Sequence, residues 1–490
     1  MVGFSFSIVS CWSALGGVLV AGVTAGGPPV MIWGWVGICC VSLCVAFSMA
    51  EMCSEYPVAG GQYSWVYILS PKSIRRQFSY ITGWFMIIGI IAMGATNSFI
   101  GANFILGQAN LVFPAFEIQR WQTVLVAYCI TFVAAFVNMW GSRILDRLSK
   151  GLLVFNIIAF IVTIATILAC NQNKQSASFV FKDFQNFTGF STSMAGIIGI
   201  LQPAFGMCCY DAPAHMCEEL KDASKQAPRA IVMSVCIGAV TGFIFLVSVC
   251  FCIGDITTVA ETATLVPLIQ IYFDSTQSNV GACFLASLIV VINFGSANAL
   301  LAEGARSLYA FARDNGLPFS SLISKVEPRH QIPVVAIMLA TVVQMAFNSI
   351  YFGTVTGFNT VIAIATEGFY LSYAMPLLAR IITYFSGGHK QPTGPWAMKP
   401  MNSLIVNAIG LIYLLFACIT FNFPSVYPVT SENMNYTSAA IGVIMFVAAL
   451  TWITTAGKAF SGPDVHEVVA VAGILHASDS EEPAGQSKKE

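Results

Sequence analysis

Charged side chains are scarce in this sequence. Asp, Glu, Lys and Arg make up 9% of its 490 residues, against about 25% in an average globular chain. A surface facing water needs charge to cover it, and this chain has too little, which excludes a soluble fold. The formal net charge is −1, so the basic stripe that nucleic acid requires is missing as well. Histidine is rare too, with five residues at 215, 330, 389, 466 and 476. None is spaced as a metal pair of the His-Glu-x-x-His kind, which speaks against a membrane metalloenzyme. Cysteine is plentiful by contrast, at fifteen. However, Cys39, Cys40, Cys44, Cys236, Cys250 and Cys252 lie inside apolar runs, where cysteine packs as a small hydrophobe. Cys208, Cys209 and Cys217 do not make a zinc spacing. Neither a disulfide frame nor a metal cluster is expected.

What the chain does have is apolar length. Hydrophobic residues make up 57% of it, with a mean hydropathy of +0.76. A bilayer crossing takes about 20 apolar residues. Runs of that length stand near 4–25, 30–52, 78–106, 122–142, 151–170, 191–211, 229–253, 280–303, 332–350, 358–382, 403–422 and 438–456. The expected fold class is an all-α polytopic membrane protein with twelve transmembrane helices over residues 1–456. The first run lacks the basic start of a cleavable signal peptide. Residues 457–490 read as a polar, disordered cytoplasmic tail.

The few positive charges give an orientation, because cytoplasmic loops retain Lys and Arg. With twelve spans, nineteen of the 22 Lys and Arg fall on the face that carries both termini, leaving Arg120, Lys174 and Lys182 on the other. Both termini are therefore expected in the cytoplasm. The two Asn-x-Thr acceptors, Asn186-Phe187-Thr188 and Asn435-Tyr436-Thr437, fall on the opposite face, which agrees with that orientation.

Two runs are heavily punctuated. The first contains Trp12-Ser13-Ala14-Leu15-Gly16-Gly17, then Gly22, and ends at Gly26-Gly27-Pro28-Pro29. The sixth contains Pro203, Gly206, Asp211 and Pro213. Glycine costs about 1 kcal/mol and proline about 3 kcal/mol in a helix interior. Irregular backbone at membrane depth survives only where it is buried in protein or lines a cavity. The two broken spans lie five apart and cross in opposite directions, the pattern of an inverted repeat with a ligand held between discontinuous helices. The repeats are expected over about 1–170 and 191–382, with peripheral helices over 403–456.

Three segments carry a family resemblance. The run Ala50-Glu51-Met52-Cys53-Ser54-Glu55-Tyr56-Pro57-Val58-Ala59-Gly60-Gly61-Gln62-Tyr63-Ser64-Trp65 resembles the signature after helix 2 of amino acid–polyamine–organocation permeases. The run Tyr210-Asp211-Ala212-Pro213-Ala214-His215-Met216-Cys217-Glu218-Glu219, reaching Ala227-Pro228-Arg229-Ala230, is similar to the fungal amino acid/choline transporter branch, which includes GABA permeases. Tyr309-Ala310-Phe311-Ala312-Arg313-Asp314-Asn315-Gly316-Leu317-Pro318 resembles that branch's motif after helix 8. The resemblance implies a LeuT-type 5+5 inverted repeat with broken helices 1 and 6. It also implies secondary active transport of an amino acid or related amine such as GABA, by alternating access and coupled to protons, with no other cofactor. A plasma-membrane location follows, with the vacuolar membrane as the alternative. Matching the motifs places Trp12, Ser13, Ala14, Leu15, Gly16 and Gly17 at the first break. Phe205, Gly206, Met207, Cys208, Cys209, Tyr210 and Asp211 fall at the second, with Phe205 as an aromatic lid. Glu303 and Glu367 depart from the pattern, standing where small or apolar residues are usual.

The residues suggest roles of their own. An ionisable side chain within a span is costly and is a functional candidate by default. Asp211 and Glu367 would face the substrate path, while Glu303 and Arg306 suit a local i, i+3 ion pair. His215 is a candidate proton relay. Glu51, Glu55, Glu218 and Glu219 would form an inner gate with Arg75, Arg76, Lys221 and Arg229. A zwitterion wants the free N–H and C=O groups of unwound backbone, whereas a quaternary ammonium wants an aromatic cage, for which Trp12, Phe205 and Tyr210 are candidates. A choline or polyamine permease, a channel, sodium coupling and a non-transporting nutrient sensor are the competing readings.

Overall fold

Long apolar runs have no water to satisfy their backbone, so they form helices that satisfy it internally. The computed structural model describes residues 10–463 apart from 141, 221, 329–331, 354–356, 387–392 and 432, with the backbone alone at 142–150, 218 and 219. In chain order the helices are α1 (Cys11–Gly17), α2 (Leu19–Thr24), α3 (Gly27–Glu55), α4 (Gln62–Leu69), α5 (Arg75–Val112), α6 (Arg120–Trp140) and α7 (Ser142–Cys170). There follow α8 (Ala177–Phe181), α9 (Thr192–Gly199), α10 (Leu201–Gly206), α11 (Ala223–Cys252), α12 (Ile256–Ala260) and α13 (Pro267–Thr276). The last are α14 (Asn279–Arg313), α15 (Ser320–Ile323), α16 (Val334–Gly353), α17 (Gly357–Phe385), α18 (Pro400–Thr420) and α19 (Thr437–Thr451).

Ten helices among the described residues are long and apolar enough to cross a membrane: α3, α5, α6, α7, α11, α14, α16, α17, α18 and α19 with its extension to Ala459. Each matches one of the expected runs. The remaining two runs are the punctuated ones, and both are split into short pieces. The first begins with Ser10 at φ 24°, and Val18 separates α1 from α2. The second bends at Ile200 between α9 and α10, leaves the helix at Met207 (φ −109°, ψ 57°) and passes Cys209 at φ 62°. It then resumes as a 3-10 turn over Ala214–Glu219.

One expectation needs correcting. The residues Trp12–Gly17 are helical, and the irregular positions are Ser10 and Val18 on either side of them. Gly16 and Gly17 serve packing here. A Cβ on Gly16 would stand 2.7 Å from Leu268 Cδ2, and one on Gly17 would stand 2.7 Å from Ile100 Cγ2.

The core is built around α5 and α17, whose apolar stretches are 94% and 83% buried, while those of α7 and α19 are 22% and 17% buried and lie at the periphery. Small residues let helices approach closely where there is no water to drive them together. At the α5–α17 crossing, a Cβ on Gly89 would meet the backbone nitrogen of Phe369 at 2.6 Å, and one on Gly368 would meet Gly89 Cα at 2.7 Å. The short elements α4, α8, α12, α13 and α15 were not expected. Nor was the antiparallel pair of Ala25–Gly26 with Gln185–Asn186, which ties the end of the first broken run to the start of the second. Of the expected tail, residues 464–490 lie outside the described residues. Its first part is packed: Arg76 donates from Nη2 to the carbonyls of Gly457 and Phe460, both at 2.9 Å, and Phe460 is buried.

Candidate functional site

The two broken runs meet at the centre of the molecule. Ser10, Ser13 and Ala14 from the first, Phe205, Cys208 and Cys209 from the second, Met93 and Asn97 from α5 and Ser296 from α14 line one small cavity. Its volume is about 10 Å³, the room one water needs, so this arrangement is closed around the site. Gln202 Nε2 donates to the Leu15 carbonyl at 3.4 Å and links the two runs beside it. A wider pocket of about 240 Å³ also draws on both broken runs and is lined by Val20, Thr24, Leu201, Thr360, Phe421 and Asn435, among others.

Of the residues expected at this site, Ser13, Ala14, Phe205, Cys208 and Cys209 line the cavity. The others sit elsewhere. Trp12 turns away, donating from Nε1 to Asn156 Oδ1 at 2.7 Å and packing on the rings of Phe160 and Phe245. Leu15 fills the notch left by Gly206, where an added Cβ would stand 2.6 Å from Leu15 Cδ2. Met207 is buried beside Gly238. Tyr210 packs on Tyr373 with ring centres 5.2 Å apart. Glu367 accepts a hydrogen bond from Asn422 Nδ2 at 2.8 Å, which joins α17 to the end of α18. The aromatic cage therefore does not assemble, because two of its three members face other helices. Ser10, Met93, Asn97 and Ser296 were missed. Asn97, one of three Asn within α5, was the one signal that marked any of them.

A second polar cluster lies next to the cavity along the unwound chain. Asp211 accepts from Tyr373 Oη at 2.5 Å and from Gln62 Nε2 at 2.6 Å, and its Oδ2 lies 3.2 Å from His215 Nε2. The other ring nitrogen, His215 Nδ1, lies 3.1 Å from the carbonyl oxygen of Ala59. A carbonyl only accepts, so Nδ1 carries a proton. Glu303 comes from α14, and its carboxylate, the His215 ring and the Asp211 carboxylate bring atoms within 4.8 Å of one another. Both Glu303 oxygens are buried and have no hydrogen-bond partner among the described residues. Glu303 thus faces Asp211 and His215, with the charge of Arg306 also acting on it. The motif after α3 shapes this cluster directly. Gly61 has φ 55°, and a Cβ there would stand 2.7 Å from His215 Cε1. Two segments distant in sequence are therefore halves of one structure. The same three residues are the group among those described whose donor atoms come close enough for a metal. Both Asp211 oxygens are engaged by Gln62, Tyr373 and His215.

The residues expected to gate make different contacts. Glu51 is buried and accepts from Met398 N–H at 2.8 Å and Ser403 Oγ at 2.6 Å, with Arg380 Nη2 3.6 Å away. Glu55 Oε2 accepts from the Thr393 and Gly394 N–H groups, each at 2.7 Å. These carboxylates therefore hold the segment before α18 and do not pair with Arg75 or Arg76. Arg75 lies over the Tyr67 ring, and Arg76 holds the carbonyls that follow α19. A backbone N–H next to a helix end is a fixed donor, and it outcompetes a long solvated side chain. Arg229 is exposed on α11. The side chains of Glu218 and Glu219, and Lys221 altogether, lie outside the described residues.

Ten apolar helices packed around two broken ones, with a closed polar site between the breaks, define a polytopic membrane transport protein. The chain belongs to the amino acid permease family, whose model matches residues 3–447. A protein of Macrophomina phaseolina named as an amino acid/polyamine transporter is 62% identical over 441 residues, covering 90% of this chain and 97% of its own. The choline transporter of Saccharomyces cerevisiae is 30% identical over 462 residues, covering 94% of this chain and 81% of that one. An amino-acid permease of Arabidopsis thaliana is 27% identical over 474 residues, with 94% and 91% covered. The chain is a permease and not an enzyme.

Proposed function

We propose that this permease moves an amino acid or related amine of GABA-like size by alternating access, coupled to protons. The observation that carries the reading is the pair of interrupted runs meeting across one closed polar cavity. On this reading the split runs count as spans 1 and 6 of twelve, the inverted halves are about 1–170 and 191–382, and 403–456 is peripheral. The sorting of positive charge supports both termini in the cytoplasm, with the plasma membrane as the location.

The cavity lining favours a zwitterion. It contains hydroxyls, thiols, one amide and one aromatic ring, and none of its residues is an acid or a base. Such a site can meet a carboxylate and an ammonium group with its hydroxyls and the Asn97 amide. A polyamine would want carboxylates in the lining, and choline would want more than the single ring of Phe205. The choline transporter among the relatives keeps choline as the second reading.

Uptake of labelled GABA, other amino acids, choline and polyamines in permease-deficient cells over a pH series tests the proposal. The expected result is saturable uptake of an amino acid or GABA that rises as the outside is acidified. A protein that is correctly inserted and takes up none of them would refute it.

A further inference from the structure

Glu303 is the member of the inner cluster without a hydrogen-bond partner among the described residues. It is 2% exposed, both its oxygens are bare, and an imidazole and a second carboxylate stand within 4.8 Å. An ionised carboxylate left like this at membrane depth is costly, whereas a neutral one is tolerated. His215 meanwhile has one nitrogen fixed to the Ala59 carbonyl and the other facing Asp211. The ring thus sits on a backbone pivot with two carboxylates in reach.

The geometry points to a cation site separate from the substrate cavity: Glu303, together with the His215–Asp211 pair, takes up and releases the coupling proton. This inference rests on the transporter reading above. In the arrangement seen here the proton is on Glu303, and His215 donates to Asp211. When the proton leaves Glu303 for the inner water, the Glu303 carboxylate becomes a second acceptor for His215 Nε2–H. The ring then swings on its Nδ1–H bond from Asp211 toward Glu303, and no other proton changes place. Asp211 keeps Gln62 and Tyr373 but loses the group that ties it to the 3-10 turn Ala214–Glu219. The turn stays held at Ala59 through the Nδ1–H bond but is now tied to Glu303 on α14 instead of to Asp211, so proton loss re-sorts the contacts that close the inner side.

Several other groups act on Glu303. Asp211, His215 and Cys209 face it from the unwound segment, and Arg306 lies one turn along its own helix. Tyr373 reaches it through Asp211 from α17. From α5, Ile90 and Ile91 pack against the neighbouring Gly304. Cys53 Sγ stands 3.7 Å from Cys217 Sγ where the turn meets the end of α3, a contact that inner opening would break.

Two measurements test this inference, the second independent of any substrate. In proteoliposomes, one proton per solute supports an accumulation of about tenfold per imposed pH unit. For Glu303→Gln, the ratio of pH-driven accumulation to counterflow of the same labelled solute (GABA, choline or putrescine) should fall to about one tenth of the wild-type ratio at one pH unit. A ratio within twofold of wild type overturns the site. If the wild type shows no counterflow of any solute, the transporter reading fails, and the second measurement decides the proton site alone. Infrared difference spectra of the purified protein over a pH series should show the C=O stretch of a buried protonated carboxyl. That band should be lost in Glu303→Gln and retained in Glu367→Gln. Its absence from the wild type, or its persistence in Glu303→Gln, overturns the proposal. If Glu303→Gln fails to fold, Glu303→Asp should keep the band at a shifted frequency, and an unshifted band overturns the assignment. Stoichiometric binding of zinc or manganese that is lost in Glu303→Gln, or accumulation driven by sodium alone, would likewise replace the proton with another cation.

Discussion

Gly61 shows how much depends on one missing methyl group. Its φ of 55° with ψ −127° is a conformation that side-chain-bearing residues avoid, and the His215 ring occupies the place where a Cβ would go. Gly61→Ala is therefore expected to cost about 1–3 kcal/mol, read as a lower melting temperature in detergent. It should also displace His215, so transport should suffer more than stability does. Trp12 makes the opposite point. A buried indole N–H without an acceptor is penalised by about 1–3 kcal/mol, and Asn156 supplies the acceptor at 2.7 Å. Asn156→Leu should destabilise the protein by about that amount, whereas Asn156→Gln should recover part of the loss in the same melting experiment.

At the scale of elements, the segment before α18 is held by acids at the end of α3. Glu55 accepts two backbone N–H groups at 2.7 Å, and charge-assisted bonds of this kind are the stronger class. Glu55→Ala should expose that segment, measured as faster chymotryptic cleavage after Trp396, with Glu55→Gln in between. A sequence shows which carboxylates end a helix, but it does not show what they bind, and this is why the gate pairs with Arg75 and Arg76 were not found. The ten long helices were legible because apolar runs uninterrupted by charge leave little choice of structure. The short helices α4, α8, α12, α13 and α15 were not, since pieces of ten residues or fewer carry too little periodicity to stand out. Proline, glycine and aspartate marked the second break clearly at Met207–Pro213. The first was misplaced onto Trp12–Gly17 because its irregular residues are a serine and a valine, which give no such signal.

At the scale of the whole molecule, the candidate site was half legible. Most of its residues on the broken runs could be read from punctuation, but Met93, Asn97 and Ser296 come from two other helices and are joined to them only by folding. The same holds for Glu303 and His215, whose proximity depends on α14 packing beside the unwound segment. Sidedness is a property of the whole chain and can be checked directly. In a variant without the exposed native cysteines Cys40, Cys129, Cys170 and Cys236, Ser431→Cys should react with an impermeant maleimide on intact cells. Lys458→Cys should react only after permeabilisation, and the reverse pattern would invert the topology.

The contact of Gly89 with Gly368 has a mechanical consequence. Two helices touching backbone to backbone have no soft side chains between them to absorb a displacement, so α5 and α17 behave as one lever arm with its fulcrum at that crossing. The compliance needed to open a 10 Å³ cavity then belongs to the places where the backbone leaves helical dihedrals: Ser10, Val18 and the stretch from Met207 to Pro213. Amide hydrogen exchange should record this division of labour, slowest around Gly89 and fastest within the membrane at the second break. Gly89→Ala should blur the contrast by prying the arm apart.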